Sequence, residues 1–184
     1  PVQAGQPIVA VPGAGTNVPI WLLGSSLFSA QLAAYLGLPY AFASHFAPRM
    51  LHQALAIYRQ TFKPSAALAK PYAIVGVPVI AAPTDAEAQF LASSTYQRVL
   101  GILTGNRTRL QPPVEGFMEQ VSERERAAIA DFLAVGIIGG PQTVRAGLQA
   151  LAQATQADEF MLVSDVFDAD LRLRSLQLTA QAMV

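Results

Sequence analysis

Apolar residues along this chain fall into short runs that alternate with stretches of helical spacing. Val18-Pro-Ile-Trp-Leu-Leu23 is almost wholly apolar and stops at Gly24, as a strand buried on both faces would. From Ser26, the residues Leu27, Ala30, Ala33, Ala34 and Leu36 recur at helical spacing until Gly37, a helix-ending glycine. Tyr40 to Ala43 is a second apolar run, and Pro48 opens a helix whose face is traced by Met50, Leu51, Ala54, Leu55, Ile57 and Tyr58. After a proline-bearing loop from Lys63 to Pro71, the run Tyr72 to Ile80 reads as a strand, with Pro78 requiring a bulge or an edge position.

The second half keeps the rhythm. Thr84 with Glu87 forms a capping box, with Asp85 in the first turn, so a helix runs from there to about Leu100. Gly101 to Gln120, with three glycines and two adjacent prolines, reads as a surface excursion or lid. Ser122 with Glu125 opens a helix toward Phe132, and the Val135 to Ile138 run leads through Gly139-Gly140-Pro141 into another helix ending near Ala154. Phe160 to Val163 is a strand, and Asp168 caps a terminal helix with Leu171, Leu178 and Met183 near one face. Four strands alternating with helices imply an α/β fold with parallel strands and right-handed crossovers.

Composition sharpens this reading. The chain has 184 residues, 52% of them apolar and only 13% charged, which excludes disorder and fits one domain or a piece of one, residues 1–184, with 1–17 as a leading loop. Twelve basic residues balance twelve acidic ones, so charge supports neither a nucleic-acid surface nor an acidic tail. The absence of cysteine removes disulfides and thiolate chemistry, and a reducing cytoplasm is the expected compartment. All charged residues lie from Arg49 onward, and Gly24, Ser25, Ser26, Gly37 and Pro39 break the uncharged stretch before a membrane span could form. That stretch is expected to be covered on several sides.

In parallel α/β folds ligands gather beyond the carboxyl ends of the strands. Three segments qualify. At Gly24-Ser25-Ser26 an apolar strand turns into a helix, offering N–H groups, two hydroxyls and a positive helix end to a phosphate, although a plain helix cap accounts for the serines equally. Ser44-His45 follows the second strand, where an imidazole could serve as acid, base or ligand contact, or sit satisfied in the core. Gly139-Gly140-Pro141 is a weaker anion candidate, because proline at a first helical position explains it structurally. His52 is expected on the surface. Two histidines without cysteine give no transition-metal site.

Pro19-Ile-Trp-Leu-Leu-Gly-Ser-Ser26, Gly37-Leu-Pro-Tyr40, Ala43-Ser-His-Phe-Ala-Pro48, Val75 to Ala82 and Ile138-Gly-Gly-Pro-Gln-Thr-Val144 occur in an order that resembles the C-terminal half of bacterial luciferase-like, flavin-dependent monooxygenases. The resemblance implies the C-terminal half of a (β/α)8 TIM barrel, about four strand-helix units with an inserted excursion at 101–120. It implies FMN as cofactor, with Gly24, Ser25, Ser26 and Ser44 as cofactor-binding residues and His45 as the catalytic candidate. A separate reductase would supply reduced flavin, and O2 with that flavin would oxidise a small organic substrate. Gly140 and Gln142 depart from the Ser/Thr and Glu usual in the family's turn. A half-barrel would leave edges and an inner face open, so a homo-oligomer or association with the N-terminal half is expected, with no nucleic acid or membrane partner. A non-catalytic flavin- or phosphate-binding relative and a half-barrel assembly module are the alternatives.

Overall fold

The computed structural model describes residues 5–16 and 18–184. Of the leading loop, residues 1–4 and 17 lie outside the described residues, and 5–16 form turns without helix or strand. The elements that follow are β1 (Leu22–Gly24), α1 (Leu27–Leu36), β2 (Tyr40–Phe42), α2 (Leu51–Thr61), β3 (Ala73–Ala81) and α3 (Asp85–Leu103). After them come α4 (Phe117–Gln120), α5 (Glu123–Phe132), β4 (Ile137–Gly139), α6 (Pro141–Thr155), β5 (Glu159–Val163) and α7 (Ala169–Ala182). Every strand pair is parallel: β1 with β2, β2 with β3, and β3 with both β4 and β5. The fold is α/β with parallel strands, as the alternation of elements implies, and it is the half of a TIM barrel that the resemblance implies.

Period-two alternation sorts the strand residues. Tyr40, Phe42, Ala73, Val75, Val77 and Val79 are buried against α1, α2, α6 and α7 and form the main core. A smaller core joins Ile80, Leu91, Tyr96, Val99 and Ile129 beside α3 and α5. The alternate residues point the other way: Leu23, Ala41, Ile74 and Glu159 share one row, and Gly76 stands beside Met161 in the next. This inner face is open. Leu23 is 70% exposed and Met161 60%, so the first strand is covered on its helix side only, against the expectation of burial on both faces. Among the described residues of this half-barrel nothing stands opposite to cover it.

Other departures have local causes. The Val135 to Ile138 run yields a fifth strand, β4, which takes over pairing with β3 from Val79 onward. Pro78 needs neither bulge nor edge. It is the last β3 residue paired with β5, one step before β4 begins, so its missing N–H falls where partners change. The excursion at 101–120 contains the end of α3 and the short α4. Gln97 Nε2 donates to the Pro112 carbonyl at 2.9 Å, and the Val114 N–H donates to Ser93 Oγ at 2.7 Å, fastening the excursion to α3. The terminal helix packs through Ser175, Thr179 and Ala182, whereas Leu171 and Met183 stay exposed. Ser175 Oγ accepts the Ala81 N–H at 2.8 Å, satisfying the end of β3, which a leucine could not do.

Local signals held where partners lie close in sequence. Thr84, Ser122 and Asp168 all accept first-turn N–H groups as N-caps, but of the two expected boxes only Ser122–Glu125 is reciprocal, because the Glu87 side chain returns no bond to Thr84. Gly37 ends α1 at φ 63°, and a Cβ there would lie 2.5 Å from the Lys63 carbonyl oxygen, so this position requires glycine twice over. His52 is exposed, as expected.

Candidate functional site

At the carboxyl end of β1, Ser26 caps α1. Its Oγ accepts the Ser29 N–H at 3.2 Å, and Ser29 Oγ donates to the Ser26 carbonyl at 2.7 Å. Below them the Tyr40 hydroxyl lies 2.9 Å from Ser29 Oγ; burial pushes its pKa up and the Ser29 contact partly offsets this. Gly24 is needed for this arrangement, because a Cβ there would come within 2.3 Å of Ser29 Cβ and Oγ. Ser29 was not singled out from sequence. The Ser-x-x-Ser spacing from Ser26 was its only signal, a weak form of the usual box.

The turn keeps capacity for an anion. Leu27 and Phe28, the first helical residues, have no intrahelical carbonyl for their N–H groups, and no acidic residue lies in the first turn. Helices α3, α5 and α7 each carry acidic residues of their own there. The Gly139-Gly140-Pro141 turn differs. Its anion is internal: the Asp85 carboxylate accepts the Gly140 N–H at 2.6 Å, and this bond, with one from Thr143, holds the Asp85 carboxyl below its ordinary pKa. Asp85 thus takes over the capping that a Ser or Thr at position 140 would perform.

The Ala43 N–H donates to the Gly24 carbonyl at 2.9 Å, joining the two candidate segments along one rim. Ser44 is fully buried, and its hydroxyl donates to the Gly76 carbonyl, fastening the end of β2 to β3. His45 follows with its ring over Gly76, where a Cβ would lie 2.8 Å from His45 Nδ1, and its other side against Phe46 at 4.1 Å between ring centroids. His45 Nδ1 is buried without a hydrogen-bond partner. Burial lowers the imidazole pKa, with Asp165 raising it and Arg98 lowering it by smaller amounts, so the ring is neutral at pH 7.

Asp165 and Arg98 were not among the sequence candidates. They pair through Arg98 Nη2 and Asp165 Oδ2 beyond the end of β5, leaving Arg98 Nε and the nearby Ser164 Oγ buried and unpartnered. Below His45 the inner face is a concavity of about 450 Å3 floored by Leu23, Ala41, Ile74, Gly76 and Met161. Polar groups on the rim over an apolar floor are what a small-molecule site requires.

Parallel strands with their helices outside, and polar groups collected at the C-terminal rim, define the class of barrel proteins that hold ligands at that rim. Within this class the chain belongs to the luciferase-like monooxygenase family, which matches residues 2–159. It is 48% identical over 168 residues to the luciferase-like monooxygenase of Escherichia coli (strain K12), covering 91% of this chain and 50% of that protein. The crystal structure of apo-MsnO8 superposes with a TM-score of 0.76 at 33% identity, covering 97% of this chain and 54% of that one. The fold also recurs in the oxygenating constituent of 3,6-diketocamphane monooxygenase from Pseudomonas putida, solved in complex with FMN, with a TM-score of 0.60 at 19% identity over 90% of this chain and 49% of that one. The chain spans about half the length of the curated relatives it matches. Among the described residues no helix is long and apolar enough to cross a membrane.

Proposed function

We propose that this chain acts, together with the other half of its barrel, as an FMN-dependent monooxygenase of a small organic substrate, with reduced flavin delivered by a separate reductase. Family membership supports the reaction class, and the observation that carries the cofactor assignment is the acid-free start of α1 on the C-terminal rim. Gly24, Ser25 and Ser26 would hold the phosphate: the N–H groups of Leu27 and Phe28 are unspent, and the Ser25 hydroxyl has no partner among the described residues. The apolar concavity beneath His45 fits the flat ring system. Reduced flavin supplies the electrons that activate O2; the chain's own residues bind, orient and exclude water. Ser44 acts from behind, holding the end of β2 to Gly76 so that His45 is presented over the concavity. His45, neutral and with Nδ1 uncommitted, can accept or return a proton at the rim.

Flavin titration by fluorescence quenching tests the assignment in the full-length protein. Aspartate caps a helix as well as serine does, so Ser26→Asp keeps the fold while placing a carboxylate against the phosphate. FMN affinity is expected to fall strongly, with riboflavin affinity unchanged. Ser26→Ala should instead cost about 1 kcal/mol of stability through the lost cap. Equal FMN affinity in wild type and Ser26→Asp would remove this turn from the site.

A further inference from the structure

Beside the rim lies a second cavity, of about 500 Å3, bordered by Phe46, Arg98, Ile102, Arg107, Thr108 and Phe132. Its size is that of a ligand site. Phe46 is the ring that packs at a tilt against His45, so the cavity opens next to the candidate acid-base group. Three of its walls are apolar and two carry guanidinium groups.

The charges do not balance. Arg98 is neutralised by Asp165, yet its Nε remains buried without an acceptor. Arg107 makes no ion pair or hydrogen bond among the described residues. The nearest carboxylate in sequence to the Phe132 wall, Asp131, is engaged by Arg49 at 2.7 Å. One positive charge, that of Arg107, is therefore left over beside the apolar walls of Phe46, Ile102 and Phe132. A neutral apolar ligand would leave it unused.

We propose that this cavity binds an anionic group on a flat apolar body, with Arg107 supplying the charge, and Phe46 and Phe132 the flanking rings. A carboxylate at the polar end of the substrate or the phosphate of a flavin offers this chemistry. The proposal rests on the function above only for the reaction that follows binding; the anion site stands on the cavity itself.

Benzoate and its neutral analogue benzamide are the probes, titrated calorimetrically into the full-length protein. FMN and riboflavin are titrated in parallel. Arg107 is exposed and unpaired, so Arg107→Ala is expected to melt like wild type, and Arg107→Glu reverses the charge at the same place. Benzoate is expected to bind about tenfold or more tightly than benzamide, with the preference lost in Arg107→Ala and in Arg107→Glu. An unchanged FMN-to-riboflavin ratio in those variants then assigns the anion to the substrate. If instead Arg107→Ala weakens FMN and spares riboflavin, the anion is the flavin phosphate, which keeps the anion site and overturns the phosphate assignment at the start of α1. The proposal is overturned if neither ratio responds to Arg107. Wild-type protein that binds no flavin but still prefers benzoate would sink the proposed function and leave the anion site intact.

Discussion

His45 is held by packing, not by hydrogen bonds: Gly76 makes room for its ring and Phe46 covers it, while Nδ1 has no partner. Because burial lowers its pKa below 6.5, the unfolded chain takes up this proton at a higher pH than the folded one. The stability that this difference contributes is present above 6.5 and lost as pH falls through the folded value. Thermal melts at pH 7.5 and 5 should therefore show wild type losing stability relative to His45→Gln, while at pH 7.5 the two melt alike and the variant turns over more slowly. An imidazole titrating at or above 6.5 by NMR would contradict the burial described here. The position of His45 was legible because it follows an apolar run. Its environment was not, since Gly76, Arg98 and Asp165 arrive from 31, 53 and 120 residues away.

Among the elements, those closed by neighbours in sequence were readable and those closed by distant groups were not. Ser122 and Glu125 lie three residues apart, and their reciprocal box forms as the spacing implies. The Asp85 cap on α6 spans 55 residues and the Ser175 bond to the end of β3 spans 94, so neither leaves a mark on any local window. β4 escaped notice for a related reason: three residues ending in glycine look like loop until β3 provides a partner. The Asp85 carboxyl is held below its ordinary pKa, so its charge stabilises α6 above about pH 4 and ceases to as pH falls through the folded value. Asp85→Asn keeps an acceptor for the Gly140 N–H and removes the charge. It should melt below wild type at neutral pH, and the gap should close in acid; a gap independent of pH would show that charge plays no part in the cap.

At the scale of the whole molecule, the uncharged first quarter of the chain finds its explanation in the open inner face, where Trp21, Leu23 and Met161 present apolar surface to solvent. Such surface, bordered by a β1 edge that has no partner strand among the described residues, favours association. Sedimentation velocity on residues 1–184 alone should show oligomers at micromolar concentration, and co-expression with the other barrel half should suppress them. A monodisperse monomer that unfolds cooperatively would refute the open-face argument. β3 carries a further consequence, one of timing. It pairs with β2 on one flank and β5 on the other, and the contact that begins the second pairing joins Ala73 to Asp158, 85 residues later. At translation speeds of about 5–20 residues per second, roughly 4 to 17 s separate the synthesis of β3 from that of its partner. During that interval a nine-residue apolar strand waits on the ribosome with one flank unsatisfied, which leaves β3 a segment of the nascent chain that a chaperone would protect.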